Sequence, residues 1–361
     1  MTLKPYHDGG VSMDTTFSDI LKKVVSQYPL KVKSISLLSD KGKKAVWSIQ
    51  TDKGELIMKK VPFDETHIDF MLHAIRYLRG NGVNTPDVLK TGSGQGYVKL
   101  DGEYFVLFET VYGRSPEYEN DSDLSLILKG MANFHRASRG IESPNGFYPS
   151  YLLTKWKSDL QTRMERLATW KEQRQQVKNK NEFDRLFLAN VDTFLQQARA
   201  ALTTLNQPCF VQWVKETEAT KTLCHQDFAA GNLVVGRDGK LYVYDMDSLT
   251  VDLPVRDLRK ILNKVMKKGG SWSLPTMLKM MKAYQQVNPL TKDQYLVLGA
   301  DIQFPHLFYG QVSKYYENRE DSWPVNKHIA RLKDMISTEL SKNNVLKSFL
   351  GRLDEVVKRG S

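Results

Sequence analysis

A change of hydrophobic period near residue 110 constrains this chain more than any other feature. Over residues 32–60, short runs rich in Val, Ile, Leu and Trp are separated by Asp40-Lys41-Gly42 and Asp52-Lys53-Gly54. That spacing predicts hairpin-connected strands, because each Asp-Lys-Gly supplies a turn between apolar segments. Residues 97–100 and 104–110, turned by Asp101-Gly102, predict another hairpin. Between them, Ile68, Leu72, Ile75 and Leu78 recur at the helical period, and Gly80-Asn81-Gly82 ends that run. A short amphipathic helix is expected over residues 17–28, stopped by Pro29. Beyond Tyr112-Gly113-Arg114, where a hinge is expected, the helical period takes over: residues 124–137, a charged stretch over 153–205, and most of 255–361. Residues 221–244 interrupt it, with Leu233-Val234-Val235 and Leu241-Tyr242-Val243-Tyr244 as strand-like runs around a turn.

Bulk properties narrow the class without choosing a function. The 361 residues suggest about two folded units. With 41% hydrophobic and 26% charged residues, the chain can bury a sizeable core and is neither disordered nor collagen-like. Its longest apolar runs fall far short of the ~20 residues of a membrane-spanning helix. Residues 1–16 lack the basic and apolar regions of a secretory leader. Two cysteines, Cys209 and Cys224, exclude a disulfide framework and fit a reducing compartment, so synthesis is expected to be cytoplasmic. Lys and Arg total 52 against 41 Asp and Glu, a net charge of +11. The densest basic groups, residues 256–268 and 163–180, lie in helix-like sequence and read as solvated faces. No nucleic-acid motif accompanies them, so no specific nucleic-acid partner is expected.

Chemistry is concentrated in His225-Gln226-Asp227-Phe228-Ala229-Ala230-Gly231-Asn232, followed by Tyr244-Asp245-Met246-Asp247. Phosphoryl transfer from a nucleotide needs a carboxylate near the attacking hydroxyl and oxygen ligands that hold Mg²⁺ against the phosphates. Asp227, Asn232 and Asp245 supply such a set. The spacing His-x-Asp-x-x-x-x-Asn resembles the catalytic loop of protein kinases, with Gln226 where they carry Arg.

The order of motifs extends this likeness over most of the chain. Cys224 to Asn232, with residues 243–265, resembles the aminoglycoside and choline phosphotransferase branch of the protein-kinase-like superfamily, and within it the CotS family of bacterial spore coat proteins. Leu56-Ile57-Met58-Lys59, Gly82-Val83-Asn84-Thr85-Pro86, residues 107–113, Asn133-Phe134-His135 and residues 301–306 contribute to the same likeness. The resemblance implies an α+β, bilobal kinase-like fold: a tail over 1–16 expected to be flexible, a small antiparallel β-sheet lobe with one helix over 17–110, and a mainly helical lobe over 111–361 carrying a catalytic hairpin at 221–250. It implies Asp227 and Asn232 as catalytic residues, Asn232, Asp245 and Asp247 as metal ligands, and Lys59 with Glu109, Thr110 and Val111 as the nucleotide contacts. ATP or another nucleoside triphosphate with Mg²⁺ is the implied cofactor set. A hydroxyl compound, small molecule or protein, is the implied acceptor, and other spore coat proteins are the implied partners. Asp257 resembles a structural aspartate that follows the metal site.

Two departures leave two functional classes open, an active phosphotransferase and a degraded kinase-fold scaffold of the coat. The residues matching the helix glutamate that partners the nucleotide lysine lie near Met71 to His73, where there is no acid; Glu65 and Asp69 are the expected substitutes. Residues 39–47 contain only Gly42, so no glycine-rich phosphate nest is expected. Strand alternation sends Lys59 and Lys60 to opposite faces; Lys59 is expected at the phosphate and Lys60 in solvent. His225 is expected to brace its loop, His135 and His306 to pack, and Cys224 to behave as a buried small hydrophobe.

Overall fold

The computed structural model describes residues 15–357. Most of the tail expected over 1–16 lies outside the described residues, and Thr15 and Thr16 already belong to the first helix. The chain divides into two compact units. One comprises residues up to 117 with 141–149 and 228–249; the other comprises 118–140, 150–227 and residues from 250 onward.

The first unit begins with α1 (Thr15–Val25) and strands β1 (Val32–Asp40), β2 (Ala45–Thr51) and β3 (Gly54–Val61). Helix α2 (Glu65–Gly80) follows, then β4 (Val98–Leu100), β5 (Glu103–Glu109) and β6 (Gly113–Arg114). Strands β1 to β5 make an antiparallel sheet in the order β1-β2-β3-β5-β4. Turn chemistry sets its register: Asp101 and Gly102 both take positive φ, 51° and 77°, the geometry that a two-residue hairpin demands. One face carries the core, where Trp47, Ile49, Met58, Phe105 and Leu107 pack with Leu21, Val24 and Tyr28. The Asp64 side chain accepts the His67 N–H at 2.9 Å and caps α2.

A second, small sheet in this unit joins β6 to the hairpin of β8 (Leu233–Gly236) and β9 (Leu241–Val243), with β8 central; β7 (Leu223–Cys224), which precedes them in the chain, belongs to the other unit. Gly113 is required at the β6–β8 contact. A Cβ there would lie 2.1 Å from the Val235 carbonyl oxygen.

The second unit holds α3 (Asp121–Ala137), α4 (Trp156–Gln176), α5 (Glu182–Thr204), α6 (Pro208–Thr220), β7 and β10 (Thr250–Val251). It continues through α7 (Val255–Lys268), α8 (Leu274–Gln285), α9 (Lys292–Gln303), α10 (His306–Tyr316) and α11 (Val325–Leu350). The charged stretch over 153–205 is two helices because Asn181 and Asp184 form a reciprocal capping box that starts α5 afresh. Trp170, Phe183, Phe187, Phe194, Phe308 and Leu332 build the core between α4, α5, α10 and α11. Among the described residues, no helix is long and apolar enough to cross a membrane.

Candidate functional site

In the first unit a cleft of about 730 Å³ has apolar walls from Val46, Ile57, Phe108 and Met246, and a polar end formed by Lys59, Asn232, Asp245 and Asp247. The pairing of β3 with β2 and β5 places Lys59 opposite Val46 and Val106, in the centre of the sheet. The β9 strand delivers Tyr244, whose N–H donates to the Asn232 carbonyl at 2.9 Å and ties the two ends of the hairpin together. Asp245 then takes a left-handed conformation, φ 61° and ψ 61°, which a non-glycine residue adopts at a cost. That turn aims the Asp245 carboxylate into the cleft.

The Lys59 ammonium donates to Oδ1 of Asp245 and, at 2.8 Å, to Oδ1 of Asp247. Lys44, from the turn between β1 and β2, donates to Oδ2 of Asp247 at 3.1 Å. Burial alone would lower the Lys59 pKa, but the charges of Asp247 and Asp245 outweigh it and raise it. Among the described residues, neither expected substitute for the helix glutamate pairs with Lys59. Glu65 accepts from the Tyr97 hydroxyl at 2.6 Å, and Asp69, pushed up by burial and by Glu65, makes no contact with Lys59. The lysine is held from the strand end instead of from the helix.

Lys60 is a correction. It is 5% exposed, and its ammonium donates to Glu103 at 2.8 Å, so its stem packs on the opposite face of the sheet rather than in solvent. Two amides of the β1–β2 turn are used within it: Lys41 N–H donates to the Lys44 carbonyl and Gly42 N–H to the Asp40 carboxylate, each at 2.8 Å. At the expected hinge, Glu109 N–H donates to the Asp87 carbonyl at 3.0 Å, and the Val111 carbonyl accepts from the Tyr244 hydroxyl at 3.3 Å. Thr110 Oγ1 is buried there with no hydrogen-bond partner among the described residues.

In the second unit, α7 begins at Val255 and carries Asp257 under the loop of residues 225–227. Asp257 is fully buried and accepts the backbone N–H groups of His225 at 2.7 Å and Gln226 at 2.9 Å. It also receives His135 Nε2 at 3.1 Å, while Tyr284 meets the other ring nitrogen at 2.8 Å. Burial would raise the Asp257 pKa, yet the His135 hydrogen bond and surrounding cations bring it down to about 2. Gln226 is held at φ 69°, another non-glycine residue in the left-handed region. His225 is buried, and its Nδ1 accepts the Asp227 N–H at 3.3 Å, the bracing geometry expected of it. Asp227 accepts from Lys264 at 2.6 Å. Burial pulls the Asp227 pKa upward, and the Lys264 hydrogen bond and charge overcome that and lower it. Cys224 is fully buried with its thiol 3.2 Å from the Leu253 carbonyl, and burial pushes its pKa well up.

The basic group at 256–268 is a solvated face only at its end, where Lys267 and Lys268 are exposed. Arg256 pairs with buried Asp252, and Lys260 donates to the carbonyl and side-chain oxygen of Gln226 at 2.6 Å each. Lys44, Lys260 and Lys264 were not singled out from the sequence. The successive four-residue steps from Arg256 to Lys260 to Lys264, on the helix that carries Asp257, were the available signal for two of them.

The sequence matches the family model described as "Spore coat putative kinase YutH" over residues 22–349. The chain belongs to this spore coat family. It is 30% identical over 347 residues to spore coat protein S of Bacillus subtilis (strain 168), covering 94% of this chain and 95% of that protein. In three dimensions this YutH-family chain resembles an aminoglycoside phosphotransferase from Alicyclobacillus acidocaldarius, with a TM-score of 0.77 and 18% identity over 93% of this chain and 96% of the other. It also resembles a spectinomycin phosphotransferase in complex with ADP and spectinomycin, with a TM-score of 0.63 and 14% identity over 94% and 98% of the two chains. The fold is thus the kinase-like fold of these phosphotransferases, as the order of motifs implied.

The donors at the polar end of the cleft fit a hard divalent cation, since Asp245, Asp247 and Asn232 all offer oxygen. The Lys59 ammonium, seated between the two carboxylates, marks where positive charge is accepted. Thr110 Oγ1, buried and unsatisfied at the hinge, fits the polar edge of a base.

Proposed function

We propose that this spore coat family member is a phosphotransferase that moves the γ-phosphoryl group of ATP, or another nucleoside triphosphate, to a hydroxyl acceptor, and that it works in the spore coat. The observation that carries this reading is the convergence of Lys59, Asn232, Asp245 and Asp247 at one end of an apolar cleft. Lys59 contacts phosphate oxygens, and the apolar walls with Glu109, Thr110 and Val111 receive the base. Asn232, Asp245 and Asp247 hold Mg²⁺, which when bound neutralises charge on the phosphoryl oxygens. Asp227, kept ionised by Lys264, accepts the proton of the acceptor hydroxyl. His225 and Asp257 hold the loop that presents Asp227. The spore coat assignment is supported by the YutH family match and by the likeness to spore coat protein S.

Calorimetric titration of Mg-ATP into the wild type and into Asp245→Asn tests the site. Mg²⁺-dependent binding that the substitution abolishes is the expected result. A second reading, a coat scaffold without turnover, is favoured by one observation, the β1–β2 turn whose Lys41 and Gly42 amides are consumed internally. Absence of binding at millimolar nucleotide would leave that scaffold.

A further inference from the structure

Helix α7 presents cations along one face. Arg256, Lys260, Lys264 and Lys267 are four, four and three residues apart, the spacing that aligns side chains along a helix. Lys260 anchors Gln226, and Lys264 reaches Asp227 itself. One step further along, the Lys267 side chain is exposed and has no hydrogen bond or ion pair among the described residues. Desolvation and the nearby charges of Arg331, Lys264 and Lys314 lower its pKa. Arg331 on α11 likewise makes no ion pair among the described residues. Positive charge therefore accumulates beside Asp227 beyond what the local carboxylates neutralise.

We infer that the hydroxyl acceptor of this site is an anion, a small polyol or sugar bearing a phosphate or carboxylate, whose charged group is received by Lys264, Lys267 and Arg331. The inference rests on the phosphoryl-transfer reading above and names its substrate class. An anionic group drawing the Lys264 ammonium away leaves the Asp227 carboxylate open to the acceptor hydroxyl. That hydroxyl oxygen forms a bond to the γ-phosphorus as the bond from γ-phosphorus to the bridging oxygen breaks. The nucleoside diphosphate leaves with the electron pair of the broken bond, and the hydroxyl proton passes to Asp227. Aminoglycosides carry several amines that are protonated at neutral pH, so the same stripe repels them. The acceptor class thus departs from that of the antibiotic phosphotransferases sharing this fold.

The test is calorimetric titration of the full chain with glucose 6-phosphate, glucose and kanamycin, for the wild type, Lys267→Arg, and the double variant Lys267→Glu with Arg331→Glu. Mg-ATP is titrated into each sample as a separate readout of the nucleotide cleft, and a thermal melt checks folding. The expected result is binding of glucose 6-phosphate at least about tenfold tighter than glucose, weakened about tenfold or more by the double reversal and retained by Lys267→Arg. Kanamycin bound as tightly as glucose 6-phosphate by the wild type overturns the inference. So does glucose 6-phosphate binding that is absent, or indifferent to the charge reversal, while Mg-ATP binds. Glucose 6-phosphate binding with that charge dependence, but without any Mg-ATP binding, supports the anion site and sinks the phosphoryl-transfer reading instead.

Discussion

The Lys59 ammonium stands 2.8 Å from Oδ1 of Asp247, and Lys44 stands 3.1 Å from the other oxygen of the same carboxylate. The Asp247 side chain is only 3% exposed, so its charge is held in place by these two cations rather than by water. A carboxylate two residues beyond the candidate metal ligand therefore does for Lys59 what an acid on α2 does not.

If Asp247 positions Lys59, Asp247→Asn lowers nucleotide affinity by about tenfold or more, since hydrogen bonds to charged groups are the strong ones. Asp247 is also a proposed metal ligand, so only the part of the loss that comes through Lys59 persists when the divalent cation is omitted. Asp245→Asn chiefly removes the cation dependence. Calorimetry with and without Mg²⁺ separates the two, and equal effects of both variants under both conditions would refute the division of roles.

Asp227→Asn is expected to reduce turnover on the order of a thousandfold while nucleotide affinity stays within about threefold. Because Lys264 lowers the Asp227 pKa, the base stays ionised to lower pH than it would without that lysine. Lys264→Ala releases this hold, so the acid limb of the turnover profile moves to higher pH. A limb that does not move assigns the base elsewhere.

Asp257 is a matter of stability. Replacing it by Ala orphans two backbone N–H groups and the buried His135, a loss of about 3 kcal/mol in urea denaturation at neutral pH. Its folded pKa of about 2 lies below the ordinary value of 3.8. The unfolded chain therefore binds the proton more readily. The stabilisation is complete above the ordinary carboxylate pKa and is lost as pH falls from about 4 toward 2. The difference between wild type and Asp257→Ala should shrink over that window.

Gly113→Ala forces a Cβ against the Val235 carbonyl oxygen and separates β6 from β8. Overpacking of this kind costs about 1–3 kcal/mol. Hydrogen exchange should show the loss first at the Arg237 amide, which donates to the Tyr112 carbonyl at 3.2 Å beside this contact, and unchanged protection there would remove the glycine from the structural account.

Much of this architecture was legible because its signals are local. Asp101-Gly102 fixes a hairpin, the period of Ile68, Leu72, Ile75 and Leu78 marks a helix, and the spacing from His225 to Asn232 marks the loop. Long-range partners were not legible. Nothing near Lys59 in sequence names Asp247, 188 residues away, and nothing near Lys44 names it either, 203 residues away. Lys60 was misjudged because alternation tells which face a side chain takes but not whether Glu103 covers that face. The α7 cations read as solvated because composition cannot distinguish a helix face in water from one turned toward Gln226 and Asp227.

Gln226 sits where two demands meet. Its φ of 69° suits glycine, and its side-chain oxygen anchors Lys260. Glycine there would relax the backbone and drop the anchor; valine or isoleucine would resist the backbone and offer no anchor at all. Few side chains satisfy both demands, and asparagine, tolerant of the left-handed region, satisfies them only in part because it is one methylene short. Position 226 is thus a narrow gate for variation in this loop, held open from Asp257 below and from Lys260 at its side.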